Sequence, residues 1–280
     1  MTDSLALYLR RLGLSERPPA TLEGLRAVHR AHLRAIPYEN LDVQLGRTVT
    51  TAREHCVEKI VRRGRGGWCY EMNGVLGWAL EALGFKVTRL AGAVMREAFG
   101  DPFAGNHLVL KVELAQGLYL ADAGFGDGPL EPFAIRPGAF SSAGFDFRLE
   151  QVDGDWWRLH NHAYGGAKSF DFKLDPADET LLAARCHDLQ TQEWSPFVQN
   201  LVAQRHTPEG LTVLRGRVVR LVTPQGFTDR TLDSEDELVR FLREGFGLDV
   251  PEIASLWPKI CERHEALFTA PPLSPPSSAH

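Results

Sequence analysis

The chain has 280 residues, 44% of them hydrophobic and 24% charged, with a formal net charge of −5. That is apolar material for a sizeable core and length for two or three packed subdomains. Mild acidity without a basic stripe excludes nucleic acid or anionic membrane as the main partner, and no apolar run approaches the roughly 20 residues that span a bilayer.

Helix-period apolar spacing predicts helices over 2–13, 21–35, 51–63 and 69–84, with breaks at Pro18-Pro19, Pro37 and Gly64–Gly67. From about residue 86 the pattern turns to short β runs at Lys86–Met95, His107–Leu114, Leu118–Ala123, Phe145–Gln151, Trp156–His160 and Lys168–Leu174. Residues 177–206 are mixed. Strands over 211–214 and 217–223 and helices over 234–245 and 251–268 follow. Pro- and Ser-rich residues 269–280 are expected to be disordered. Helices first, then antiparallel β, then mixed structure make an α+β protein, since no alternating βαβ pattern appears. The N-terminus lacks the order of a signal peptide, so a cytoplasmic location is expected. Arg62-Arg63 with Arg65, and Arg215 with Arg217, are short basic clusters that read as local features.

Cys56, Cys69, Cys186 and Cys261 include no CxxC pair, which argues against a zinc knuckle, and four cysteines in a chain this long make no disulfide framework. No metal site is expected. Cys69 differs from its fellows in setting. Arg65-Gly66-Gly67-Trp68 closes a loop, and a helix opens at once with Cys69, Met72, Leu76, Ala79, Leu80 and Leu83 on one face. Most lone cysteines are small core hydrophobes. Core filler, however, needs no permissive glycines beside it, and the first turn of a helix favours a thiolate.

A cysteine nucleophile needs a base and a group to orient it. His107 opens the apolar strand His-Leu-Val-Leu-Lys-Val-Glu-Leu after Gly105-Asn106, and Asp122 ends the next strand before Ala-Gly-Phe-Gly126. An even-numbered loop near Ala115–Gly117 would put His107 and Asp122 on one face, and an odd one on opposite faces. The sequence leaves that register open. His160 and His162, near another strand end, are the fallback bases. His29 and His32 share a helix with Arg26, Arg30 and Arg34 and read as solvated.

Together, Arg65-Gly-Gly-Trp-Cys-Tyr-Glu-Met-Asn73, the His107 strand and Asp122-Ala-Gly-Phe-Gly126 resemble the three signature blocks of the arylamine N-acetyltransferases. Pro37-Tyr-Glu-Asn-Leu41 resembles a fourth, and Tyr8-Leu-Arg-Arg11 the N-terminal helix; the similarity spans about residues 5–268. It implies a helical bundle over 1–85, an antiparallel β-barrel over 86–200 and an α/β lid over 201–268. The core would be of the cysteine-protease and transglutaminase kind. Cys69, His107 and Asp122 would form the catalytic triad. Acetyl-CoA would be the acyl-donor cosubstrate, with no permanently bound cofactor, and a small aromatic amine or hydrazine the acceptor. Tyr38, Phe125 and Gly126 would line the acceptor pocket, and Arg11, Glu39 and Arg65 would form an ion-pair network beneath it. Tyr38 stands where Phe is frequent, and Ala123 where Val is usual. The donor is expected in a cleft between barrel and lid, near Gly105, Asn106, Phe197 and Asn200. Two other chemistries use the same residues: an amide synthase closing a macrolactam on a carrier-bound acyl chain, and a cysteine hydrolase.

Overall fold

Helices form in the first third of the chain where apolar residues recur every three or four positions. In the computed structural model, which describes residues 2–268, these are α1 (Thr2–Arg11), α2 (Leu22–Ala35), the single turns α3 (Leu41–Gln44) and α4 (Arg53–Val57), and α5 (Cys69–Ala82). The expected disordered tail at 269–280 lies outside the described residues. Thr21 caps α2 by accepting from the Gly24 N–H. Residues Glu58–Arg62 wind as a π-helix after α4, where one uninterrupted helix was expected. Between α2 and α3 the chain extends briefly as β1 (Tyr38–Glu39).

Every pairing between two of the named strands is antiparallel. Strands β2 (Lys86–Val94), β3 (His107–Leu114), β4 (Gly117–Ala121), β5 (Phe133–Ala134), β6 (Gly138–Ser142), β7 (Phe145–Val152), β8 (Trp156–His160) and β9 (Ser169–Phe172) form one sheet in the order β5-β4-β3-β2-β9-β8-β7-β6. The end strands β5 and β6 are not paired with each other, so the expected barrel is an open sheet; Phe133 stacks on Phe140 at 4.8 Å between its ends. Short α6 (Arg96–Phe99) lies between β2 and β3. Helices α7 (Glu179–Thr191) and α8 (Pro196–Gln199) occupy the end of the span assigned to the β segment.

The second sheet runs β1-β10-β11-β12-β13, with β10 (Val202–His206), β11 (Leu211–Arg215), β12 (Val218–Thr223) and β13 (Gly226–Thr231). A two-residue strand from the helical segment thus edges the C-terminal sheet. Helices α9 (Glu235–Phe246) and α10 (Trp257–Phe268) close the chain.

Helix α5 is the centre of the molecule. Every residue from Cys69 to Leu80 is buried, so the expected one-sided burial is wrong: α5 passes between the other helices and β2–β3 and meets protein all round. Burial on every side fixes its axial position and holds its N-terminus against the end of the large sheet.

Candidate active site

Cys69 is the first residue of α5 and is buried. The turn before it is held by close packing. A Cβ on Gly67 would stand 2.7 Å from Glu71 Cβ, so only glycine lets the loop fold onto its own helix. Glu71 accepts the Trp68 N–H at 3.3 Å, taking up one of the unpaired donors at the helix start. The Tyr70 hydroxyl donates to the Gly105 carbonyl at 2.7 Å, which ties the helix to the segment entering β3.

The hairpin loop between β3 and β4 has two residues, Ala115-Gln116, with Leu114 paired to Gly117 and Leu110 to Ala121. The even loop puts His107 and Asp122 on one face, diagonally related. Their side chains meet with His107 Nε2 2.9 Å from Asp122 Oδ2, both buried. Cys69 Sγ faces the Asn106 carbonyl oxygen at 4.0 Å, and the Leu108 backbone favours its thiolate, so the sulfur lies against the chain on both sides of His107. Gly124 completes the approach. A Cβ there would stand 2.7 Å from Cys69 Cα, so this glycine lets the Asp122 loop lie directly on the Cys69 backbone.

Asn73, one turn into α5, joins these parts. It donates to the Leu108 carbonyl and to Asp122 Oδ1 and accepts the Ala123 N–H at 2.8 Å. Burial alone would raise the Asp122 carboxyl. The His107 charge and hydrogen bonds from His107, Asn73 and Gly124 overcome it and hold the group below the usual carboxylate range. Burial pushes the Cys69 thiol well up, with Cys186 and Asp122 adding to it, against the Leu108 and Tyr70 backbone.

Tyr38 is buried, pairs with Gln204 and bridges to Gly67; its hydroxyl is raised by burial and by Cys69, Asp127 and Asp122. The Phe125 ring centre lies 5.8 Å from that of His107 and 4.8 Å from that of Phe170. Gly126 has φ +87° and no room for a Cβ against the Gln204 side chain. The other bases are engaged elsewhere: His160 pairs with Glu150, and His162 packs on Phe145.

A family model described as N-acetyltransferase matches residues 21–255. The arylamine N-acetyltransferase of Mycolicibacterium smegmatis is 35% identical over 91% of this chain and 95% of its own, and that of Escherichia coli 31% over 90% and 91%. The chain belongs to the arylamine N-acetyltransferase family. A solved M. smegmatis structure superposes with a TM-score of 0.83 at 34% identity, covering 92% of this chain and 97% of the other. A Mycobacterium marinum member of the family, solved in complex with CoA, gives 0.81 at 30% identity, covering 92% and 97%. The chain is therefore an acyltransferase with the mixed α/β fold and curled antiparallel sheet of these enzymes.

Around the first turns of α5 lies a buried charge cluster whose centre the sequence did not mark. Lys59 Nζ, on the π-helical turn, is 2.9 Å from Glu71 Oε2, 2.9 Å from Asp42 Oδ2 and 3.8 Å from Glu39 Oε1. Arg65 pairs with Glu39 at 2.9 Å and Asp42 at 3.2 Å, as the expected network requires. Arg11 joins differently, donating to the carbonyls of Ile60, Gly64 and Arg65. Burial takes the Glu71 carboxyl up to about 7 despite Lys59.

His29 and His32 correct the sequence reading more sharply. Both are buried, because α2 turns Leu25, Val28, His29, His32 and Leu33 inward and leaves its arginines outside. His32 Nδ1 is 2.8 Å from the Tyr8 hydroxyl, and both His29 nitrogens find backbone partners.

The donor-side residues are arranged unevenly. Asn200 lines a cavity of about 370 Å³ between β11, β12 and α10, whose wall also includes Arg215, Arg217, Arg220, Arg263 and Gln204. Gly105, Asn106 and Phe197 do not line it. Asn106 clamps Val94 through both its side-chain groups, the Gly105 N–H donates to Gly92, and the Phe197 ring stands edge-on to Trp68 at 5.1 Å. Arg215 and Arg217, read as a local cluster, thus belong to a four-arginine wall. Among the described residues, no group of His, Cys, Asp and Glu could hold a metal ion, and no helix is long and apolar enough to cross a membrane.

Proposed function

We propose that this chain transfers the acetyl group of acetyl-CoA to Cys69 and then to an arylamine or hydrazine, in ping-pong order, with His107 as proton carrier and Asp122 as its orienter. The observation that carries the reading is Cys69 at a buried helix start, its sulfur against the backbone flanking a His107 that is bonded to a charged Asp122. The Cys69 thiolate attacks the thioester carbonyl, a new C–S bond forms, and the bond to CoA breaks. His107, as imidazolium, returns the proton to the departing CoA sulfur. The amine then attacks the Cys69 thioester and gives its proton to His107, which regenerates the Cys69 thiolate. Thiolate and leaving thiol are alike, so the first step is nearly balanced. Intact-protein mass spectrometry with acetyl-CoA and no acceptor tests this: one acetyl group should be gained, on Cys69. Steady release of free CoA without amine would instead mean hydrolysis.

Tyr38 and Phe125 would line the acceptor pocket, with Gly126 letting that loop pass against Gln204. An aryl ring stacked on Phe125 is worth about 0.5–1.5 kcal/mol beyond burial. Phe125→Ser is expected to raise the Michaelis constant for aryl acceptors roughly three- to tenfold, the equivalent of that energy. Acetylation of Cys69 by acetyl-CoA should proceed nearly as before. Equal loss in both half-reactions would place Phe125 in support of the His107 ring.

The donor's phosphates would lie against the arginine wall. Arg220 is paired with Asp229 and Arg263 is bonded to Gln199, while the Arg215 charge is disfavoured by partial desolvation against the cavity wall and by the neighbouring Arg263 and Arg220. A polyanion would relieve that repulsion. Gln204 lines both this cavity and the β1 edge at Tyr38, so a pantetheine arm leaving the wall would enter beside the acceptor residues. Reversing the charge with Arg215→Glu should raise the acetyl-CoA Michaelis constant about tenfold, the cost of one charge-assisted contact, and leave acceptor constants alone. An unchanged donor constant would put the phosphates elsewhere.

A further inference from the structure

We infer that His29, on α2, is a positioning residue that sets the register of the whole Asp122–Leu130 segment; the inference rests on the triad reading above. His29 Nε2 accepts the backbone N–H of Asp122 at 3.0 Å, and its Nδ1 lies 3.0 Å from the Leu130 carbonyl oxygen. A carbonyl can only accept and an amide N–H can only donate, so the proton must sit on Nδ1 and Nε2 must be bare. The neutral ring is therefore specified by two backbone partners of opposite kind. Those partners are the two ends of the stretch that carries Asp122, Gly124, Phe125 and Gly126. One imidazole pins both.

The same helix grips the far end a second time. Arg30 pairs with Glu131 at 2.9 Å and Arg26 reaches it at 3.6 Å, from positions flanking His29 on the helix. These contacts are exposed and hold the segment only loosely. The His29 bonds are buried, and the Asp122 bond acts at the residue whose carboxylate meets His107. A protonated His29 would turn an N–H toward the Asp122 N–H and lose that bond. Burial lowers the His29 pKa, while Leu130, Asp122 and Glu131 draw it back up. His32 on its own helix and His206 on β10 also face it electrostatically.

The two bonds can be tested separately. The amide of His29→Gln falls near the position of Nε2, where its oxygen can accept from Asp122. The amide of His29→Asn falls near Nδ1, where its nitrogen can donate to Leu130. His29→Ala should lower kcat by roughly ten- to a hundredfold, the cost of misplacing a catalytic group by about an ångström. The acetyl-CoA Michaelis constant should stay within about twofold, an energy small beside that loss. A Cys69 thiolate paired with His107 should give alkylation by iodoacetamide a step below neutral pH, and His29→Ala should move that step upward, as Asp122→Asn is expected to do. His29→Gln should recover most of both losses and His29→Asn little. A low-pH step that stays in place in His29→Ala, or His29→Asn performing as well as His29→Gln where His29→Ala does not fold, overturns the inference. If Asp122→Asn itself leaves the step unmoved, the triad reading fails and not the role of His29.

Discussion

Cys69→Ser is expected to lose acetyl transfer by about 10³-fold or more, as removal of a covalent nucleophile does in other triads, while keeping its thermal transition. The serine hydroxyl fits the space of the thiol, so the packing of α5 should survive. It is not ionised by an imidazole near neutral pH as a thiol is, so the acyl-enzyme should not accumulate. The other cysteines offer internal controls. Cys56 and Cys186 are buried among apolar residues, and burial pushes the Cys56 thiol up to about 12, so neither should carry an acetyl group. Cys261 is half-buried and reachable by small reagents, so the acetylated or alkylated peptide must be identified by mass. Cys69→Ser retaining turnover within about tenfold, roughly 1.4 kcal/mol of barrier, would remove Cys69 from the mechanism.

What the sequence made legible was carried by local signals. Gly66-Gly67 before a helical pattern, and a histidine and an aspartate at the ends of two apolar strands, can each be seen within about ten residues. The elements around them followed closely: α2, α5, β3 and β4 lie within two residues of their predicted bounds. What stayed hidden depends on partners far along the chain. His29 looks solvated because arginines surround it in sequence, and the groups that make its burial tolerable lie 93 and 101 residues away. Lys59 is similar. Its only local mark is a lysine among Cys56, Ile60 and Val61, while its carboxylates come from β1, α3 and α5. The arginine wall joins Arg215, Arg217 and Arg220, which lie close together in sequence, to Arg263 of α10, and only that last partner is out of reach of a local window. Strand β13 was missed for another reason. It is an edge strand, exposed over nearly its whole length, and needs no apolar alternation.

The sheet register was the one open question that the fold answers directly. With Leu114 opposite Gly117, residues 109 and 122 are level, and His107 stands two positions back on the same face. A loop one residue longer would have turned Asp122 to the other side of the sheet. Asn73 and His29 then act on Asp122 from two helices, one on the carboxylate and one on the backbone, so its placement does not depend on the hairpin alone.

Protonation gives the second large effect. Standing alone, Cys69 would be a poor nucleophile, because burial pushes its thiol above the usual value, which is near 8.5. In His107→Ala the rate of iodoacetamide inactivation should therefore rise in a single step above about pH 8.5, the free-thiol value. In the unmutated protein a thiolate paired with the His107 imidazolium would form below neutrality, giving one step there and a second when the imidazolium loses its proton. The sign at Asp122 follows from its own shift. Its folded-state pKa is depressed by His107, Asn73 and Gly124 against burial, so the carboxylate stays charged at and above the ordinary value of about 3.9. Its support for the imidazolium, and its contribution to stability, are lost only as pH falls below that value. Asp122→Asn should thus raise the low-pH step, and lower acetyl transfer at neutral pH by about 10³- to 10⁴-fold, as loss of the orienting carboxylate does in a Ser-His-Asp triad. A wild-type profile that superimposes on that of His107→Ala, with one step above 8.5 in both, would mean that the sulfur and the imidazole do not exchange a proton.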